Sequence, residues 1–157
     1  LVRTAELSDW LNRQRFGPEV VDGQLAFDAF QTRLVQRRRS RLKTTLLDQS
    51  FIAGLGNIYA DESLWLACLK PTRRIGSLSV RERHALFDAI RHVLALGVAK
   101  GGTTLRFFRR PNGALGGMNA HLKVYGRAEQ PCRRCHTPIV KIRVAQRGTH
   151  VCPTCQK

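Results

Sequence analysis

The chain has 157 residues, 43% of them hydrophobic, enough for one ordinary domain or two small ones with a folded core. Lys and Arg number 27 against 11 Asp and Glu, and thirteen of those cations but only one acid, Glu129, fall after position 89. A net charge of +16 favours a polyanion, nucleic acid first; with no secretory leader, no apolar run near ~18 residues and no basic amphipathic helix, a membrane partner is not expected.

Leu1-Val-Arg-Thr has neither an initiator methionine nor a leading turn, and reads as the continuation of a longer chain. Residues 5–15 are predicted helical with Leu7, Trp10 and Leu11 on one face, and Phe16-Gly17-Pro18 ends that helix. A second helix is predicted from Leu25 to Arg38, with Phe27, Phe30 and Leu34 as its apolar stripe. It runs into Arg37-Arg38-Arg39-Ser40-Arg41-Leu42-Lys43, where close positive charges repel unless a partner neutralises them. Gly54 and Gly56 mark a turn, and Asn57 stands as the N-cap of a helix reaching Leu69, with Asp61 and Glu62 favouring its dipole. Cys68, in an apolar helical stretch, is expected in the core. Ser79 and Glu82 form a capping box for a long helix to Lys100, with Leu86, Ile90, Val93, Leu94 and Gly97 on the buried face and Gly101-Gly102 as the stop. From Thr103 to Asn119 the periodicity dissolves, and a long mobile loop is predicted.

Cys132-Arg-Arg-Cys135 and Cys152-Pro-Thr-Cys155, sixteen residues apart, have the spacing of four thiolates around one structural Zn²⁺. Two disulfides are the competing explanation. Five cysteines are an odd number, and they do not spread over the chain as a disulfide framework would. Residues 138–151 read as two short β runs about a turn at Gln146-Arg147-Gly148, which holds an arginine out from the hairpin. The expected fold is therefore mainly α: a helical body followed by a zinc-bound β-hairpin. A Gly-x-Gly-Asn turn opening a helix also suits a phosphate, since the glycines admit close approach and the helix start and Asn57 offer N–H donors. An ordinary helix start explains the same residues.

The run from Leu47 to Leu64, Gly101-Gly-Thr-Thr-Leu105, the segment Val124 to Cys135 and the ending Gln146 to Gln156 together resemble the formamidopyrimidine-DNA glycosylase / endonuclease VIII family. Asn57-Ile-Tyr-Ala-Asp-Glu62 and Gly101-Gly-Thr-Thr are closer to its formamidopyrimidine branch. The resemblance implies a helix–two-turn–helix domain over residues 21–118 and a zinc finger over 119–157, with 1–20 as an interdomain linker. It implies damaged-DNA binding in base excision repair by a bifunctional glycosylase and abasic-site lyase acting on oxidised purines such as 8-oxoguanine. In that family the nucleophile is an N-terminal proline amine followed by a glutamate. Neither is in this chain, which resembles only the C-terminal part and is expected to be inactive in isolation. Asn57 and Lys43 match a phosphate clamp around the flipped nucleotide, Arg39 a basic DNA contact, and Cys132, Cys135, Cys152 and Cys155 the zinc ligands. Arg147 matches a finger-tip arginine associated with δ-elimination; alternatively it solvates a turn. Implied partners are duplex DNA with a damaged base or abasic site and an N-terminal catalytic domain, for a monomer in the bacterial cytoplasm at the nucleoid. Leu115-Gly-Gly-Met-Asn119 departs from the family's pattern in the loop that caps the extruded base, which bears on lesion preference. Two other classes compete: a free-standing, non-catalytic DNA-binding module, and an RNA-binding zinc ribbon. The second would need exposed stacking aromatics, and the aromatics, at 7%, sit mostly at core spacings.

Overall fold

Phe27, Phe30 and Leu34 resolve into helix α1 (Phe27–Gln36), with Phe30 and Leu34 fully buried. The computed structural model describes residues 16–20, 23, 25–102 and 117–157. The predicted helix over 5–15 and the loop residues 103–116 lie outside them. Helix α1 is shorter than the predicted Leu25–Arg38, with Ala26 as its extended N-cap and Arg37 N and Arg38 N bonding Leu34 O and Val35 O in place of the α ladder. The side chain of Arg37 pairs with Asp48. It also donates to Ser50 Oγ at 3.1 Å and lies 5.2 Å above the Phe51 ring.

Helix α2 (Leu42–Leu46) and helix α3 (Asn57–Leu66) are joined by two successive tight turns. Asp48 organises the first: its Oδ1 accepts from Ser50 N at 2.9 Å and Ser50 Oγ at 2.6 Å. These Ser50 bonds, helped by Arg37, hold the Asp48 carboxyl below its usual range. Gln49 organises the second, accepting from Gly54 N at 2.9 Å and donating to Leu55 O at 3.1 Å. Gly54 there has φ +82°, which glycine adopts without a Cβ penalty. Gly56 is the N-cap of α3, so Asn57 is the first helical residue and not the cap predicted from sequence.

Helix α3 stops at Leu66, earlier than the Lys70-Pro71 breaker implied. Cys68 takes φ 59°, while its N–H bonds Trp65 O at 3.1 Å and Leu69 N bonds Leu64 O at 2.9 Å. That is a Schellman ending with cysteine where glycine is usual. Cys68 is consequently exposed, not a core residue as its apolar neighbours suggested.

Helix α4 (Val80–Ala99) starts with the predicted capping box and buries Leu86, Ile90, Val93, Leu94 and Gly97. Gly101 at φ 69° closes it in the same manner, with Gly102 N on Gly97 O at 2.7 Å. At Gly97 a Cβ would come within 2.8 Å of the Tyr59 ring, so glycine is what lets α3 and α4 approach there. The helices enclose one core containing Phe30, Leu34, Leu42, Leu46, Phe51, Leu64, Leu86 and Ile90. Fully burying side chains of this size is worth about 1.5–3 kcal/mol each.

The strands among the described residues form one antiparallel hairpin, β1 (Val140–Val144) and β2 (Arg147–Val151), with Val144 opposite Arg147. Its two-residue turn is Ala145-Gln146, at φ 51° and 59°, and not Gln146-Arg147-Gly148. Two left-handed residues in a row match the right-handed strand twist of a two-residue hairpin. The shift makes Arg147 the first residue of β2. Helices thus carry the body, while the C-terminal unit is hairpin and turns, so the mainly α expectation holds for the first part only.

Candidate metal centre and nucleic-acid interface

Cys132 and Cys135 come from the turn before β1, Cys152 and Cys155 from the turn after β2. Their four sulfurs lie within 4.8 Å of one another. Cys135 and Cys152 sulfurs are 3.4 Å apart, Cys132 and Cys155 sulfurs 3.9 Å. A tetrahedron with Zn–S bonds of ~2.3 Å has sulfur–sulfur edges of about 3.8 Å, whereas a disulfide needs about 2.05 Å. The geometry fits a dication and not two disulfides. Burial alone would raise the Cys132 thiol, but the amides of Arg134 and Cys135 and the Trp65 indole outweigh it and bring it to about 6. Trp65 Nε1 and Arg134 N each point at that sulfur from 3.4 Å. Burial and the neighbouring sulfurs push Cys155 up to about 12. Four thiolates so crowded call for a central cation, which Zn²⁺ supplies as a structural site. Thr137 and Thr154 hydroxyls, 3.0 Å apart, link the two knuckles.

The zinc unit is fastened to the body along the whole of α3. At its end, Trp65 packs with Val124, Ile139, Cys132 and Cys152. Arg134 lies 4.2 Å over the Trp65 ring and donates to Trp65 O at 3.2 Å and Cys68 Sγ at 2.8 Å. Buried Gln156 accepts from Cys152 N and donates to Leu69 O, both at 2.9 Å. In the middle, Glu62 accepts from the amides of Lys123, Val124 and Tyr125 at 2.8–3.0 Å. Burial still raises its pKa, against the pull of those amides. Beside it, Asp61, fully buried, accepts from His150 N at 2.9 Å and Lys43 Nζ at 2.5 Å.

Of the sequence-derived DNA candidates, Arg39 is exposed, and its side chain has no hydrogen bond or ion pair among the described residues. Arg147 is exposed beside the hairpin turn with its side chain likewise unengaged there. Asn57 donates from Nδ2 to Gly148 O at 3.1 Å, which brings the start of α3 against the residue after Arg147. Its buried Oδ1 has no partner. Lys141, Ile142, Arg143, Gln146 and Gly148 line a shallow groove on the same hairpin. Lys43 differs from the rest. It is fully buried, and its three ammonium protons go to Asp61 Oδ1, Thr149 Oγ1 (2.7 Å) and Gly148 O (3.3 Å). Burial lowers its pKa while the Asp61 charge opposes that. An ammonium with no solvent access and no spare proton does not suit a phosphate contact.

Sequence reasoning placed Asp61 and Glu62 at the helix dipole and so missed them as the acceptors that seat the hairpin. A signal existed: Ile58, Ala60, Leu64 and Trp65 leave α3 no polar face, so charges within it had to be buried and paired. Thr149 gave no comparable sign.

Among the described residues no helix is long and apolar enough to cross a membrane. Residues 16–109 match the formamidopyrimidine-DNA glycosylase H2TH domain, and residues 129–157 match the zinc finger found in FPG and IleRS. The formamidopyrimidine-DNA glycosylase of Herpetosiphon aurantiacus is 51% identical over 143 residues, covering 91% of this chain and 52% of that protein. The crystal structure of MutM (Fpg) from Thermus thermophilus superposes with a TM-score of 0.90 at 44% identity, over 99% of this chain and 59% of that one. Lactococcus lactis Fpg in complex with abasic-site DNA gives 0.87 at 36%, over 99% and 57%. The chain spans little more than half the length of these relatives. With both domain matches in order along a body and a four-cysteine hairpin of this geometry, the chain belongs to the formamidopyrimidine-DNA glycosylase family and corresponds to its C-terminal part.

Proposed function

We propose that this chain is the DNA-holding C-terminal part of a bifunctional glycosylase and abasic-site lyase acting on oxidised purines, 8-oxoguanine and formamidopyrimidines, in duplex DNA. Residues 21–118 act as the helix–two-turn–helix domain, 119–157 as the zinc finger and 1–20 as the link to an N-terminal catalytic domain that supplies the amine nucleophile. The protein works as a monomer in the bacterial cytoplasm, at the nucleoid. The observation that carries this reading is the join between Asn57 and Gly148, which puts the amide of a Gly-x-Gly-Asn turn beside an exposed Arg147. Helix-start donors and an exposed guanidinium on one surface suit two neighbouring phosphates. Extruding a base costs a few kcal/mol, and such backbone contacts on a bent duplex offset it. Arg39 extends the contact along the strand. Zinc does no chemistry here; it fixes the hairpin.

Titration of the zinc-loaded chain with intact and abasic duplexes tests the reading. With about four to six phosphates neutralised, log K should fall with log[salt] at a slope of roughly −4 to −5, and Arg39→Ala should make it shallower by about one. Affinity independent of salt overturns it.

A further inference from the structure

We propose that the buried Lys43–Asp61 pair is a positioning device that fixes the hairpin end bearing Arg147 against Asn57, and that neither residue touches DNA. The proposal rests on the DNA-holding reading above. A continuous path of hydrogen bonds supports it. Asp61 Oδ2 takes the amide of His150 at 2.9 Å, and Asp61 Oδ1 takes Lys43 at 2.5 Å. Lys43 passes the path to Thr149 Oγ1 at 2.7 Å, and that hydroxyl donates to the Arg147 carbonyl at 3.2 Å. Lys43 Nζ and Asn57 Nδ2 then meet on one acceptor, Gly148 O, at 3.3 and 3.1 Å.

Three consecutive hairpin residues, 148 to 150, are thereby held by α2 and α3 through groups that reach no solvent at Lys43 or Asp61. The strand period adds direction. Arg147 and Thr149 are two apart on β2, so their side chains leave the same face of the hairpin, the face that Lys43 engages. A buried ion pair is weak support for stability as such, because desolvation offsets its attraction. Its geometric effect is plainer. An ion pair whose three ammonium protons and both carboxylate oxygens are engaged holds one arrangement and penalises others, which a two-residue turn beside an unengaged arginine would not do by itself. The basic run of residues 37–43 thus points two ways, with Arg39 facing outward toward an anion and Lys43 inward toward the hairpin.

The test compares Lys43→Met, Asp61→Asn and the apolar pair Lys43→Met/Asp61→Leu in the zinc-loaded chain, each with and without Arg147→Ala. Amide hydrogen exchange is read at residues 145–150, and binding to an abasic duplex is measured across salt. The expected result is faster exchange at the hairpin end with zinc still bound, and abasic-site binding weaker by about tenfold, the scale of one charge-assisted hydrogen bond. The salt slope stays unchanged, and nothing further is lost on top of Arg147→Ala. A slope shallower by about one makes Lys43 a phosphate contact and overturns the proposal. So do losses that add to those of Arg147→Ala, and so does unchanged exchange at 145–150 in all three variants. If Lys43→Met fails to fold, the apolar pair, which leaves no unpaired charge, gives the same comparison. Should the parent chain not bind DNA in a salt-dependent way, the DNA-holding reading falls, while the exchange data still judge the coupling within the protein.

Discussion

Asn57, on the first turn of α3, donates from Nδ2 to the carbonyl oxygen of Gly148 at 3.1 Å, joining residues 91 apart in sequence. That bond links the helix start to the hairpin, and the side chain making it is one the sequence marked for phosphate binding. One amide proton on Gly148 leaves the second for a ligand, so the two roles are compatible. Asn57→Ala should weaken duplex binding by about tenfold, the scale of one or two lost hydrogen bonds. Zinc stoichiometry should stay at one. Equal affinity for wild type and variant would remove Asn57 from the interface.

Zinc removal should separate the two cores. Trp65, Val124, Cys132, Ile139 and Cys152 form a cluster distinct from the helical one around Phe30 and Leu86. Structural zinc contributes about 10–16 kcal/mol to units of this size near neutral pH, as much as the roughly 8–15 kcal/mol that five buried side chains could supply and that chain entropy offsets. Chelation, or Cys132→Ser, should therefore release the hairpin and change Trp65 fluorescence while the helical circular dichroism largely persists. A single cooperative loss of both signals would show that the body depends on the hairpin, with Asp61 and Glu62 left buried without their amides.

The helical body was legible in the sequence because its periods are clean: Phe27, Phe30 and Leu34, then Leu86 through Gly97, and a capping box at Ser79. The four cysteines were legible because thiolate spacing is set by one ion. Less legible were features that depend on what packs nearby. Asn57 and Gly148 meet only in three dimensions. Asp61 and Lys43 look like surface charges until α3 is seen covered on all sides. Cys68 carries an apolar context yet ends a helix in a left-handed conformation. The predicted turn at Gln146-Arg147-Gly148 sits instead at Ala145-Gln146, with Gly148 paired with Arg143 inside the ladder, a register that only the strand pairing defines.

That turn offers a stability test. Ala145 and Gln146 both hold positive φ, which costs L-residues and suits Asn-Gly. Ala145→Asn with Gln146→Gly should stabilise the hairpin by about 0.5–1 kcal/mol per relieved residue. Slower metal loss to a chelator would register it. No change, or faster loss, would mean the turn is held by contacts beyond the two residues.

Acid should weaken the start of α4 in a defined window. Glu82 is held at about 2, first by Arg73, whose guanidinium donates to it at 2.6 Å, and then by Ser79. Its folded pKa lies below the usual 4.5, so it adds stability that is complete above pH about 4.5 and fades as pH falls toward 2. Denaturant titrations of wild type and Glu82→Gln should differ most above pH 5 and converge near pH 2. A difference constant across that range would contradict the ion pair as its source.

Arg147 gives the sharpest division between function and fold. It is exposed, its side chain has no partner among the described residues, and its strand is held by Thr149 and Gly148. Removing it costs the protein almost nothing, since an exposed strand residue away from special geometry changes stability by within about 0.5 kcal/mol. Arg147→Ala should therefore keep zinc and fold. In the chain joined to an N-terminal domain carrying a proline amine, however, it should bind abasic duplex more weakly and slow the later elimination step. Resolving β- from δ-elimination ends on a gel separates these steps, and borohydride trapping reports the covalent amine adduct on its own. If the guanidinium contacts phosphates and not the reacting amine, as proposed, excision and trapping should survive in the variant while δ-products fall. An unchanged β-to-δ ratio in the variant would leave Arg147 as a solvated strand residue.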